Sequence, residues 1–158
     1  MFTLALSLLM GCPYLEPPAP PIDPVVNAER RAAYRDGLKA AMGDAYDAPV
    51  AGLAGADRVW GQEVFAKSCS GCHGAYARGD GPRLRRVDPP MPPNIVDPTT
   101  SHFFSDTAQM AIIRGGSPGT AMPPMARSLS EENLLAAYAY IGSLREAELE
   151  AARAQGHD

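Results

Sequence analysis

Cysteine is scarce in this chain, with three in 158 residues, at positions 12, 69 and 72. Three thiols are too few for a disulfide-built scaffold of this length. Histidine is equally sparse: outside position 73 there are only His102 and His157. Basic charge is short as well, since 14 Lys and Arg face 18 Asp and Glu for a net charge of -4. Nothing resembles a basic stripe, so nucleic acid is excluded as a partner. Long apolar runs are missing too. Phe2 to Met10 is almost wholly apolar, yet its nine residues fall far short of the roughly 20 that cross a bilayer as a helix. Runs with strand character are few, which leaves helices and irregular segments.

Proline and glycine, by contrast, are plentiful at 16 and 15 residues. Between them lies the most informative stretch, Cys69-Ser70-Gly71-Cys72-His73. Two thiols three positions apart lie within about one helical turn, so both reach the vinyl groups on one edge of a porphyrin and form thioether links. His73 follows directly and is placed to be the proximal axial ligand of the iron. A bare Cys-x-x-Cys is also a zinc half-site or a redox dithiol. A structural zinc needs four Cys or His ligands, and the chain offers only Cys12, His102 and His157 beyond the motif. A thioredoxin-like dithiol opens a helix after a strand, whereas this motif closes a helical segment. Covalent attachment of one haem c is the reading that uses all three side chains.

The apolar run near the start ends in Leu9-Met10-Gly11-Cys12, which resembles the lipobox of bacterial lipoprotein signals. Residues 1–11 are then a signal peptide and Cys12 carries the lipid. No Lys or Arg precedes the run, a departure from the usual basic start. Prolines 13, 17, 18, 20, 21 and 24 follow and describe an extended, semi-rigid tether. A helix is expected over 27–42, with Asn27 as its cap and Gly43 as its stop, and a second linker over 43–55. The segment 12–53 thus reads as a lipid-anchored linker with one helix, 54–146 as the compact domain, and 147–158 as a helix extension and tail.

Within the domain, 57–67 reads as a short helix with Gly61 and Phe65 at i, i+4 spacing. Residues 74–98 hold nine Gly and Pro, at positions 74, 79, 81, 82, 89, 90, 92, 93 and 98, and read as a long loop packed on a flat apolar ligand. Arg78, Arg83, Arg85 and Arg86 cluster there, either as a solvated loop or as partners for haem propionates or an acidic docking surface. A helix over 105–114 and a closing helix opened by Ser130 complete the pattern; Leu134, Ala137, Tyr138, Ile141 and Leu144 form the core stripe of the second.

A sixth iron ligand is sought among the methionines. Met122 sits in Ala121-Met122-Pro123-Pro124, where Pro123 holds it extended and Pro124 stiffens the loop. Met125 and Met91 are the alternatives, with His102 a weaker rival. Met42 and Met110 read as core filler.

These features together resemble a class I cytochrome c: a helix with Gly61 and Phe65 leading into Cys69, Cys72 and His73, a loop carrying Met122, and a closing helix. The resemblance covers about 54–146. It implies an all-α cytochrome c fold of three to five helices wrapped around one covalent haem, with Tyr140 as the aromatic crossing Gly61 and Phe65. It further implies a mono-haem electron carrier with His/Met ligation, not an enzyme, working with redox proteins or a membrane respiratory complex. Thioether maturation outside the cytoplasm and the lipobox agree on an extracytoplasmic, membrane-anchored location. Two other functions are compatible with the residues: a haem subunit of a larger respiratory or dehydrogenase complex, and a haem protein that binds small ligands or turns over peroxide behind a labile methionine.

Overall fold

The computed structural model describes residues 23–86, 89–98 and 100–156. The expected signal peptide, the lipidation site Cys12 and most of the proline tether lie outside them. The described residues form five α-helices joined by irregular segments and 3-10 turns, with no strand among them. The all-α expectation holds.

Helix α1 spans Pro24–Met42. It begins three residues before the expected Asn27, because the Asp23 side chain accepts from the amides of Val25 and Val26 while Pro24, which has no amide hydrogen, occupies the first turn. A proline assigned to the tether is thus the helix start. Gly43 ends α1 with φ 54.

The stretch 43–55, expected as a linker, is packed structure. It contains 3-10 turns at Gly43–Ala45 and Leu53–Gly55, and Tyr46 is buried. Ser105 Oγ donates to the carbonyl of Tyr46, and Thr107 Oγ1 donates to that of Ala48. Its Gly, Ala and Asp content suggested flexibility, but one aromatic side chain and two hydroxyl donors from a distant segment hold it.

Helix α2, Arg58–Ser68, is capped by Asp57 and runs into the short helix α3, Ser70–His73. Helix α4, Asp106–Gly115, is capped by Ser105, and α5, Glu131–Ala154, by Ser130. The core joins Phe65 of α2, Met110 of α4, and Leu134, Tyr138 and Ile141 of α5 with Ala77 and Val96 from the long loop. Burying several such side chains, each worth roughly 1.5–3 kcal/mol, gives the domain its main cohesion.

The central packing is α2 on α5. At Gly61 the helices approach so closely that a Cβ there would lie 2.0 Å from the Ala136 carbonyl oxygen. Beside that contact the Phe65 and Tyr140 rings meet with centroids 5.6 Å apart and planes tilted by 57°. Helix α5 continues past the compact domain to Ala154, and along this stretch Glu146 meets Arg58 at 3.0 Å and Glu148 meets Arg78.

Candidate haem site

Helix α2 ends where Cys69 takes over as its C-cap, and the chain turns at once into α3. The amides of Cys72 and His73 both donate to the Cys69 carbonyl, at 3.1 and 3.0 Å. This tight turn holds the two sulfurs and the imidazole as one unit. The following loop folds back on it: Gly79 N–H donates to the His73 carbonyl at 2.8 Å and Gly81 N–H to the Cys72 carbonyl at 3.2 Å. The carbonyls of Cys69, Ser70, Cys72 and His73 are thus satisfied by nearby amides, and the side chains of the turn are left for other work.

Those side chains open onto a cavity of about 560 Å³, inside the range of ordinary cofactor sites. Cys69, Cys72, His73, Met122, Met125 and Met91 all line it. The two cysteines are free thiols. Burial, and secondarily the neighbouring Cys72, pushes the Cys69 thiol up to about 11, so it is held protonated near neutrality. Burial also lowers the proton affinity of His73, favouring the neutral imidazole that carries a donor lone pair.

His73 supplies the most direct test of whether a haem iron suits this chain. Its Nδ1 is buried and has no hydrogen-bond partner among the described residues. Buried polar nitrogens are nearly always satisfied, and an orphan at a functional turn calls for an explanation. A neutral imidazole ligates a metal through a ring nitrogen whose lone pair no protein donor has taken, and His73 is left in that condition at the cavity. Two thiols on the same turn, a neutral imidazole next to them and a roomy, largely apolar cavity form a donor set that fits a covalently held porphyrin. No group of three or more His, Cys, Asp and Glu side chains forms a metal cage among the described residues, so the alternative of a zinc half-site gains no further ligands.

The opposite sequence region is stiffened. Thr120 Oγ1 accepts from Met122 N–H at 3.1 Å, and Ser117 N–H donates to the Met122 carbonyl at 3.2 Å. Gly116, at φ 80, lies against this loop; a Cβ there would come within 2.9 Å of Pro124 N and 3.0 Å of the Met122 carbonyl oxygen. Met91, with 45% exposure, sits at the cavity edge, while Met125 is partly buried and packs on the core. His102 is exposed and does not line the cavity.

Among the clustered arginines, Arg83 lines the cavity beside the attachment turn, whereas Arg78 turns outward to Glu148. The sequence reading missed the contribution of α1. Asn27, Arg30, Arg31 and Tyr34 all line the cavity. Tyr34 packs edge-on against Phe104 at 6.1 Å, and its hydroxyl donates to the Gly116 carbonyl at 3.5 Å. Their signal in the sequence is a polar stripe at i, i+3, i+4 and i+7, where a cavity-facing helix ordinarily shows an apolar one. Also unforeseen is Arg145, which donates from Nε to the Ile95 carbonyl at 2.9 Å and from Nη1 to Tyr138 Oη at 3.3 Å, bracing the cavity wall.

A helical wrap around a cavity entered by a Cys-x-x-Cys-His turn defines a class I cytochrome c domain. Residues 58–141 match the family described as Cytochrome C oxidase, cbb3-type, subunit III, and the chain belongs to that family. No curated protein and no solved structure matches it. The domain is that of a haem-containing electron carrier, and its cofactor class is haem c.

Proposed function

We propose that the chain carries one haem c, anchored by Cys69 and Cys72, with His73 and Met122 as axial ligands, and serves as a single-electron carrier. The observation that carries this reading is the orphaned, buried Nδ1 of His73 beside two free thiols on one cavity. Bound there, the haem would supply a one-electron iron couple. His73 would present a neutral nitrogen to it, Met122 a thioether on a backbone braced by Thr120 and Ser117, and the apolar wall would exclude water. A methionine ligand raises the potential relative to a second imidazole. Were His73 and Met122 both to hold the iron, a carrier role would be favoured over peroxide chemistry.

The location proposed is an extracytoplasmic membrane surface, with Cys12 lipidated and the proline tether spacing the domain from the bilayer. No helix among the described residues is long and apolar enough to cross a membrane. Tethering would raise the effective concentration near membrane redox partners. The family's description as an oxidase subunit also favours a respiratory complex as the place of work.

The test is a haemochrome spectrum together with intact mass on membrane-extracted protein. One covalent porphyrin per chain plus a lipid mass is the expected result. A polypeptide mass with no porphyrin would end the haem reading.

A further inference from the structure

The cavity differs in charge from the rest of the chain. The protein is net acidic, yet no Asp or Glu is found among the described residues that line the cavity, while Arg30, Arg31, Arg83 and Arg145 all do. Arg145 is engaged with Ile95, Gln109 and Tyr138. Arg30 is not so well served. Among the described residues its Nε is buried without a hydrogen-bond partner, and its Nη2 donates to the neutral Asn27 side chain at 3.1 Å. Next to it, Arg31 has its proton affinity lowered by burial and by the charge of Arg30. Two adjoining cations are here partly withdrawn from water in a wall without an acidic residue. Such an arrangement is costly alone and becomes favourable when an anion with several acceptor oxygens completes it.

Resting on the haem reading above, we infer that α1 closes the haem cavity and that Arg30, assisted by Arg31, binds the carboxylates of the porphyrin. Haem carries two propionates, and a guanidinium matches a carboxylate in shape and charge. Helix α1 lies wholly outside the segment matched by the family, so this clamp is an addition made by this chain. Arg30 is a positioning and charge-setting residue, not an iron ligand. Its positive charge stabilises the reduced state, in which the iron site carries one positive charge fewer.

The experiment uses the full haem-loaded chain and compares native protein with R30Q, R30K and R35Q. Arg35 is on the same helix, with its guanidinium over the Phe103 ring, but it does not line the cavity. At a fixed ambient potential near the midpoint, R30Q is expected to lower the reduced-to-oxidised ratio at least threefold, about 28 mV from the 59 mV per decade of a one-electron couple. R30K should recover most of that shift, and R35Q should change the ratio by less than half as much. Equal shifts in R30Q and R35Q, or none in R30Q, would overturn the clamp. A second readout needs no potential: haem attachment should slow tryptic cleavage after Arg30 and Arg31 at least tenfold relative to the unloaded Cys69→Ser, Cys72→Ser chain. Equal cleavage rates would likewise overturn it. Failure of the haem reading itself is separate, because the native protein would then carry no covalent porphyrin at all.

Discussion

The Ala136 carbonyl oxygen occupies the space that a side chain at Gly61 would need, 2.0 Å from the position of its Cβ. Because the obstacle is backbone, no rotamer change relieves it, and α2 must move off α5. Gly61→Ala is therefore expected to destabilise the protein by about 2–3 kcal/mol, even though alanine favours a helix. Denaturant unfolding measures this directly. A variant as stable as the parent would mean that the helices do not cross at this point.

The three methionines on the cavity are separated by their settings. Met122→Ala is expected to abolish the low-spin, methionine-ligated optical signature while leaving the haem attached. Met125→Ala should keep that signature and lose about 2 kcal/mol of stability through the cavity it leaves in the core. Met91→Ala, at an exposed position, should alter neither. An unchanged spectrum in Met122→Ala would transfer the ligand role to one of the other two.

Ser105 both caps α4 and holds the segment before α2. Its Oγ accepts from Ala108 N–H at 3.2 Å and donates to the Tyr46 carbonyl. Ser105→Ala loses both contacts and should cost about 1–2 kcal/mol. The same packing predicts that residues 43–55 resist limited proteolysis. Rapid cleavage there under native conditions would restore the linker interpretation.

Tyr138 is buried and donates to Asp106 Oδ1 at 2.7 Å while accepting from Arg145. Burial, more than any neighbour, raises its proton affinity, with the Asp106 contact adding to the effect and Arg145 opposing it. In the unfolded chain a tyrosine ionises near pH 10. Above that pH the unfolded state has lost a proton that the native state keeps, so native stability present below about pH 10 declines as pH rises further. The decline should be smaller in Tyr138→Phe. That variant should also be less stable by about 1–2 kcal/mol near neutrality, since Asp106 and Arg145 lose a partner. Unfolding curves at pH 7 and pH 10.5 for both proteins check the sign.

Much of the domain was legible because its signals are local. Asp57, Ser105 and Ser130 announce helix starts by competing for the first free amides, and all three cap the helices observed. The attachment motif is likewise a matter of spacing within one turn. The resemblance implied a crossing of Tyr140 with Gly61 and Phe65, and Ala136 and Tyr140 stand at that crossing. Residues 43–55 misled because composition reports average flexibility, whereas a single buried Tyr46 held by a distant serine decides their order.

By itself the sequence determined the all-helical class, the thiol and imidazole turn and the braced methionine loop, since each depends on neighbours a few residues apart. Only the tertiary structure decided that α1 folds back as a wall of the cavity, that Arg30 and Arg31 face it, and that Arg145 ties α5 to α4 and the long loop. Those relations join residues many positions apart in the chain. They follow from which surfaces can be buried together once every polar group has found a partner, a condition no local pattern contains.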